Sequence, residues 1–360
     1  MNKKIILLIV LVLVVASIFY LEGTKTKAVV LTEDVEVNVT ATNIYDPVRA
    51  ASKGEKYQVA RDLVDPEGYI NVDNISISEF IGEKVVLVDF WTYSCINCQR
   101  TFPYLTKWYE KYKDQGLVII GVHTPEFEFE KEYDNVVKAT KKWNITYPVV
   151  QDNDRQTWTA YNNRYWPRKY LIDIDGFIVY DRIGEGGYIE TERKIQELLN
   201  ERNELLELDM VGESIIIVDV DAPKYSQIKT PELYFGYEFQ RDQLGNGEGW
   251  VPEQVVSYEI PESIEENKFY LSGDWKNNGD NMELVSVEGK IVLKYNSKKI
   301  NFVAGSSGVK MVDVVVDGEA LDSIEVSDYD LYELADKDYS EHLIEIGVPE
   351  GVKVYAFTFG

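Results

Sequence analysis

Cys95 and Cys98 are the only cysteines in 360 residues, and they stand three apart. At that spacing one helical turn brings both sulfurs within disulfide reach. The apolar run 85–88 ahead of them predicts a strand. Phe102, Leu105, Tyr109 and Tyr112, at helical spacing, predict an amphipathic helix that Cys95 opens. Unpaired backbone N–H groups at the start of a helix favour a thiolate there. Cys95 is therefore the expected nucleophile, and Cys98 the resolving, more buried partner. A purely structural bridge is the plain alternative, but closing so short a loop removes little chain entropy. A zinc site would need four ligands, yet there is no second cysteine pair, and the two histidines, His123 and His342, are far apart in sequence. Neither a metal nor another cofactor is expected.

The elements around this dithiol follow from periodicity. Residues 84–90 and 117–122 read as strands covered on both faces, with Gly116 ending the helix between them. Residues 134–143 read as a helix and 147–151 as extended chain. Residues 170–180 read as a hairpin turning at 173–176, and 191–206 as a charged amphipathic helix. This order predicts an α/β sheet of mixed direction over 59–206. From residue 207 the signals change to short runs such as 214–220, 255–258, 290–295, 310–316 and 342–347, separated by Gly, Asn and Asp. After a connecting segment over 207–229, residues 230–360 are expected to form an antiparallel β-sandwich or jelly roll.

The net charge is −25, and residues 201–360 hold 33 acidic against 13 basic side chains. Such a field repels phosphate backbones, so no nucleic-acid partner is expected. Lys3 and Lys4 precede about 17 apolar or small residues, roughly 26 Å of helix. Residues 1–22 thus read as a single membrane anchor with a cytoplasmic N-terminus and the domains on the extracytoplasmic side; a cleaved signal sequence is the competing reading. Residues 23–58 read as a spacer with one short strand. Asn38, Asn74 and Asn144 fit glycosylation acceptor triplets.

The run Phe90 to Cys98, with Gly121, Val122, His123, Thr124, Pro125, Glu126 and Phe127 downstream, resembles the thioredoxin-like (redoxin) part of the DipZ family, related to TlpA-type anchored thioredoxins. The resemblance implies a thioredoxin fold. It also assigns roles by position. Asp89, six before Cys95, matches the buried acid that takes a proton from the resolving thiol. Trp91 matches the tryptophan flanking the site, with Tyr93 beside it, and Pro103 matches the helix-kinking proline. Pro167, after Trp166, falls where the family places a cis-proline, which would leave the backbone of Trp166 free to pair with an extended substrate. TlpA-type reductases carry an acid three residues after the second cysteine; here Thr101 stands there, and Glu126 is the expected substitute. His123 is a candidate for holding the thiolate, and a turn fixed by Pro125 is the structural alternative for that segment.

The run Thr230, Pro231, Glu232, Leu233, Tyr234, Phe235, Gly236 and the chain's end resemble the DipZ C-terminal region, which is compared with carbohydrate-binding modules. Trp250, Trp275, Tyr234 and Tyr237 are candidate sugar-stacking side chains, with core packing as the alternative. The expectation is a membrane-anchored thiol-disulfide oxidoreductase, in the reducing direction because neither Ile96 nor Asn97 adds a cation beside the thiolate. Its partners would be disulfide-containing proteins, a CcdA-like membrane electron donor and, at the C-terminal domain, a glycan. A redoxin-type peroxidase and a non-enzymatic surface glycan-binding protein are the alternatives.

Overall fold

The computed structural model describes residues 46–239 and 241–360. The expected anchor, Asn38 and most of the expected spacer lie outside them. Among the described residues no helix is long and apolar enough to cross a membrane. Residues Ile44–Gly360 make one compact unit.

The first part of that unit runs α1 (Pro47–Gly54), β1 (Gln58–Val59), β2 (Gly68–Ile70), β3 (Val85–Trp91), α2 (Ile96–Tyr112), β4 (Leu117–His123), α3 (Tyr133–Lys142), β5 (Val149–Gln151), α4 (Gln156–Ala160), β6 (Arg168–Ile172), β7 (Phe177–Ile183) and α5 (Tyr188–Leu205). Its seven strands lie in the order β1-β7-β6-β3-β4-β5-β2. β3, β4 and β5 are parallel, while β6 runs antiparallel to β3 and β7 to β6. This is the mixed sheet of a thioredoxin fold. Strand alternation divides β3 between two cores. Val85, Leu87 and Trp91 face Phe102 and Leu105 of α2 and Ile195 and Leu199 of α5, while Val86, Val88 and Phe90 face Ile75, Ile77 and Tyr170. Every residue of β3 is buried, which is why the strand reads as unbroken apolar sequence apart from one acid.

The end of the expected spacer belongs to the fold. Asp46 caps α1 by accepting from the Val48 N–H, and Pro47 occupies the first turn, where its missing N–H costs nothing. Arg49 forks onto Asp175, and the Lys53 ammonium sits 2.7 Å from Asp173, 2.8 Å from Asp175 and 2.6 Å from Glu201. Asp173 and Asp175 are nearly inaccessible, so Lys53 neutralises carboxylates that water cannot reach. Lys53→Met is expected to cost about 3 kcal/mol in urea unfolding at pH 7, with the deficit shrinking at acid pH as the carboxylates take up protons. An unchanged midpoint would contradict this.

The second part carries β8 (Leu233–Tyr234), β9 (Val255–Tyr258), β10 (Phe269–Asn277), β11 (Met282–Leu284), β12 (Glu288–Gly305), β13 (Lys310–Val316), β14 (Glu319–Ala320), β15 (Ile324–Val326), β16 (Asp330–Pro349) and β17 (Lys353–Phe359). It is all-β, as expected, but its strands form one hydrogen-bonded network. The first half of β12 pairs with β10 and its second half with β17, and β11 joins those two, so the network closes on itself. The short runs at 290–295 and 342–347 are inner stretches of strands of 18 and 20 residues. The polar residues that read as separators stay paired across register shifts at Ser297/Lys299 and Ile300/Asn301.

The expected strand over 214–220 is absent. That segment is a strap across α2 and α5, with its backbone held by side chains instead of a ladder. Gln196 and Lys111 donate to the Ser214 carbonyl, Glu192 accepts from the Ile216 N–H at 2.7 Å, and Tyr104 donates to the Val218 carbonyl at 3.1 Å. The two parts also share one core. Phe127 and Phe129, which follow β4, pack with Tyr234, Val303, Tyr355 and Ala356 of the second part, and the Phe129 and Tyr355 ring centres are 4.6 Å apart.

Candidate dithiol site

Cys95 is the N-cap of α2, half-buried, with extended backbone and no side-chain capping bond, so its sulfur is not spent on closing the helix. Cys98, one turn on, is fully buried. The two are unjoined in this structure. Burial and the hydrogen bond with Cys95 hold the Cys98 thiol well above its ordinary pKa, against a backbone hydrogen bond from Thr92. The two sulfurs thus differ in access, and Cys98 is held as a thiol, as a resolving partner must be.

Asp89 shares the face of β3 that lies under α2, and it is completely buried. Neither carboxyl oxygen has a hydrogen-bond partner. Its register partner on β6 is Lys169, also buried, with its ammonium 3.9 Å away and without a hydrogen bond of its own. Burial pushes the Asp89 carboxyl up to about 7 against the pull of Lys169, and burial lowers Lys169. Asp89 is close enough that its charge also raises Cys98. A carboxyl titrating near neutrality beside a thiol held protonated is suited to accepting that thiol's proton.

Above the dithiol lies a cleft of about 370 Å³ lined by Cys95, Glu126, Trp166, Arg164, Tyr234 and Arg241 among others. The Trp166–Pro167 bond is cis. The Trp166 indole donates to the Thr124 carbonyl at 3.0 Å and packs on Trp158, which fixes the wall beside Cys95. Glu126 is half-buried at the cleft, and its carboxyl is pushed up to about 8 by burial and by the neighbouring carboxylates of Glu130 and Glu232. Glu130, wholly buried behind it, accepts from the N–H groups of Glu126 and Phe127 and from the Ser94 hydroxyl at 2.6 Å. It ties the segment after β4 to the cysteine loop.

Cys95, Glu126 and Trp166 therefore share the cleft, and Cys98 and Asp89 lie beneath it. Three other expected site residues do not reach it. Trp91 is buried edge-on against Phe102 and His123, and Tyr93 is buried in a stack on His123 at 5.7 Å. They form a shelf under the site, not a surface a substrate touches. His123 is also wholly buried, and burial lowers its pKa to about 3, so it stays neutral and does not hold the thiolate. The turn reading suits that segment better, since Pro125 accepts from Arg155 and Glu130 clamps the next two N–H groups. Thr101 is buried and spends its hydroxyl on the Asn97 carbonyl.

The expected sugar-stacking set is also dispersed. Trp275 is fully buried in the second core, Trp250 donates to the Phe235 carbonyl, and Tyr237 pairs with Glu253. Tyr234 turns towards the dithiol cleft. Lys169, Glu130, Glu232 and Tyr234 were not expected at this site. A lone lysine beside an apolar strand signal was the available clue to the first, and the Thr230–Gly236 motif the clue to the last two.

Residues 59–181 match the AhpC/TSA family, and residues 230–360 match the thioredoxin-like C-terminal domain family. Protein DipZ of Mycobacterium tuberculosis (strain CDC 1551 / Oshkosh) is 35% identical over 328 residues, which cover 90% of this chain and 46% of DipZ. The chain is a DipZ homologue over nine-tenths of its own length. It spans about half the length of DipZ. Thiol-disulfide oxidoreductase YkuV of Bacillus subtilis (strain 168) is 28% identical over 39% of this chain and 93% of its own length. Thiol-disulfide oxidoreductase ResA of Bacillus cereus (strain ATCC 10987 / NRS 248) is 28% identical over 41% of this chain and 80% of its own. The similarity to DipZ thus takes in the second, all-β part of the chain, which the two shorter relatives cannot cover.

Proposed function

We propose that this DipZ homologue is a thiol-disulfide oxidoreductase that reduces protein disulfides. The observation that carries the reading is the pairing of a half-open Cys95, at a helix start in the cleft lined by Trp166, with an enclosed Cys98 above Asp89, whose carboxyl has no hydrogen-bond partner. The names of YkuV and ResA support it. Cys95 thiolate attacks a substrate sulfur lying along Trp166 and forms a mixed disulfide. Cys98 then gives its proton to Asp89 and attacks the Cys95 sulfur, releasing reduced substrate and leaving the Cys95–Cys98 disulfide. The reducing direction rests on the absence of a cation between the cysteines. The proposal extends to an N-terminal anchor over 1–22, extracytoplasmic domains and a membrane electron donor of CcdA-like type.

The test is insulin reduction by the whole chain with dithiothreitol as reductant, together with Cys98→Ser incubated with the same substrate. The wild type should turn over, and the variant should accumulate a covalent adduct on Cys95. Absence of both would overturn the reading. The AhpC/TSA match favours a thiol peroxidase as second reading. Hydrogen peroxide consumption that outpaces disulfide reduction and disappears in Cys95→Ser would select it.

A further inference from the structure

The oxidoreductase reading uses Glu126 only as a residue at the cleft, and it leaves the Thr230–Gly236 motif unexplained. The structure joins the two. β8 pairs with β17 through Tyr234↔Ala356 and Leu233↔Phe357. Gln243 fixes the motif from behind, accepting from the Tyr234 N–H at 2.7 Å and donating to the Glu232 carbonyl at 2.9 Å. Gly236 lets the chain turn away: a Cβ there would lie 2.3 Å from the Gly279 carbonyl oxygen. The Tyr234 ring stacks on Phe239, and its hydroxyl reaches Glu126 Oε1 at 2.9 Å and Glu232 Oε2 at 3.1 Å.

A phenol has one proton and can donate to only one of two carboxyl groups. The second contact becomes a hydrogen bond when that carboxyl is itself protonated and donates to the phenol oxygen. The trio therefore stores a carboxyl proton beside Cys95. The surrounding charges choose where it sits. Burial of its carboxyl raises Glu232 too, but that residue is exposed as a whole and Arg241, over the Tyr234 ring, favours its ionised form, whereas Glu126 is half-buried and faces Glu130 as well. Arg155, which opposes this at Glu126, is already stacked on Trp158 and Trp166.

Resting on the oxidoreductase reading, we propose that Glu126, held protonated by Tyr234 and Glu232 of the second domain, is the acid that protonates the substrate's leaving thiolate. As Cys95 attacks, the new Cys95–sulfur bond forms, the substrate's sulfur–sulfur bond breaks, and the departing sulfur takes the bonding pair and the Glu126 proton. Solvent restores that proton through the exposed Glu232 and the Tyr234 hydroxyl. When Cys98, its proton passed to Asp89, closes the Cys95–Cys98 disulfide, the second substrate sulfur leaves and is protonated in the same way. The two electrons of the dithiol end on two substrate thiols. Tyr234 and Glu232 are positioning residues, and Glu126 is the group that meets the reacting sulfur.

The experiment compares two disulfides in single-turnover reaction with pre-reduced full chain. Bis(2-hydroxyethyl) disulfide expels a basic alkyl thiolate that gains from an acid, while Ellman's reagent expels an acidic aryl thiolate that does not. The alkyl-to-aryl rate ratio is expected to fall by about 100-fold in Glu126→Gln and about tenfold in Tyr234→Phe, within the usual range for general acid catalysis. An unchanged ratio, whether both rates fall together or neither falls, would overturn the proposal, because a misplaced Cys95 or a blocked cleft slows both disulfides alike. A wild type that reduces neither disulfide would instead sink the oxidoreductase reading.

Discussion

Cys95→Ser is expected to bring disulfide reduction down to the uncatalysed rate. Serine cannot form the mixed disulfide, and Cys98 cannot take over, because it is fully enclosed and its thiol is held well above the ordinary range. The same asymmetry predicts that iodoacetamide at pH 7 labels one thiol per folded reduced chain, and that Cys95→Ser removes the labelling. Unfolding in guanidinium should expose the second thiol. Two equally reactive thiols in the folded protein, or substantial turnover in Cys95→Ser, would show that the two sulfurs do not divide the work as their burial requires.

Asp89→Asn is expected to stabilise the protein while slowing it. The folded-state carboxyl is raised to about 7, and in the unfolded chain it returns to about 4. Its contribution to stability is therefore fully present below about pH 4 and is lost as pH rises through about 7. At about 1.4 kcal/mol per pH unit the loss approaches 4 kcal/mol, the pull of Lys169 being already contained in the raised value. Asn cannot ionise, so at pH 8 the variant should exceed the wild type by roughly 2–4 kcal/mol in urea unfolding, with little difference near pH 4. The resolving step loses its base, so mixed disulfide should accumulate, turnover should fall about 100-fold, and the activity step near pH 7 should flatten. A variant less stable than wild type at pH 8 would show that the Asp89–Lys169 attraction outweighs the desolvation of both.

What could be read along the chain was encoded within one strand and the helix after it. The apolar run into Asp89, the cysteine spacing and Phe102, Leu105 and Tyr112 at helical spacing all describe one local strand–helix unit. Asp89 follows Val85 and Leu87 by even steps, so strand alternation alone puts it on their face. Lys169 escaped because its meeting with Asp89 depends on the register between β3 and β6, which tertiary pairing sets, and because β6 begins two residues before its apolar stretch. The family resemblance sets Trp91 and Tyr93 beside the site, whereas the structure buries both against His123. The shelf that buries them is completed by Phe129, far along the chain. In sequence Tyr234 is a candidate for sugar stacking, and only the docking of the second sheet on Phe127 and Phe129 turns its hydroxyl to Glu126. The polar gaps inside β12 and β16 look like loop punctuation and are bulged but paired.

The cleft above Cys95 has walls from both parts of the fold, and Cys98 has no exposure of its own. Whatever delivers electrons to the dithiol and whatever removes them must use that same doorway, one visitor at a time. The two exchanges are then mutually exclusive events. Steady-state plots against donor and acceptor should run parallel, and an excess of either should crowd out the other.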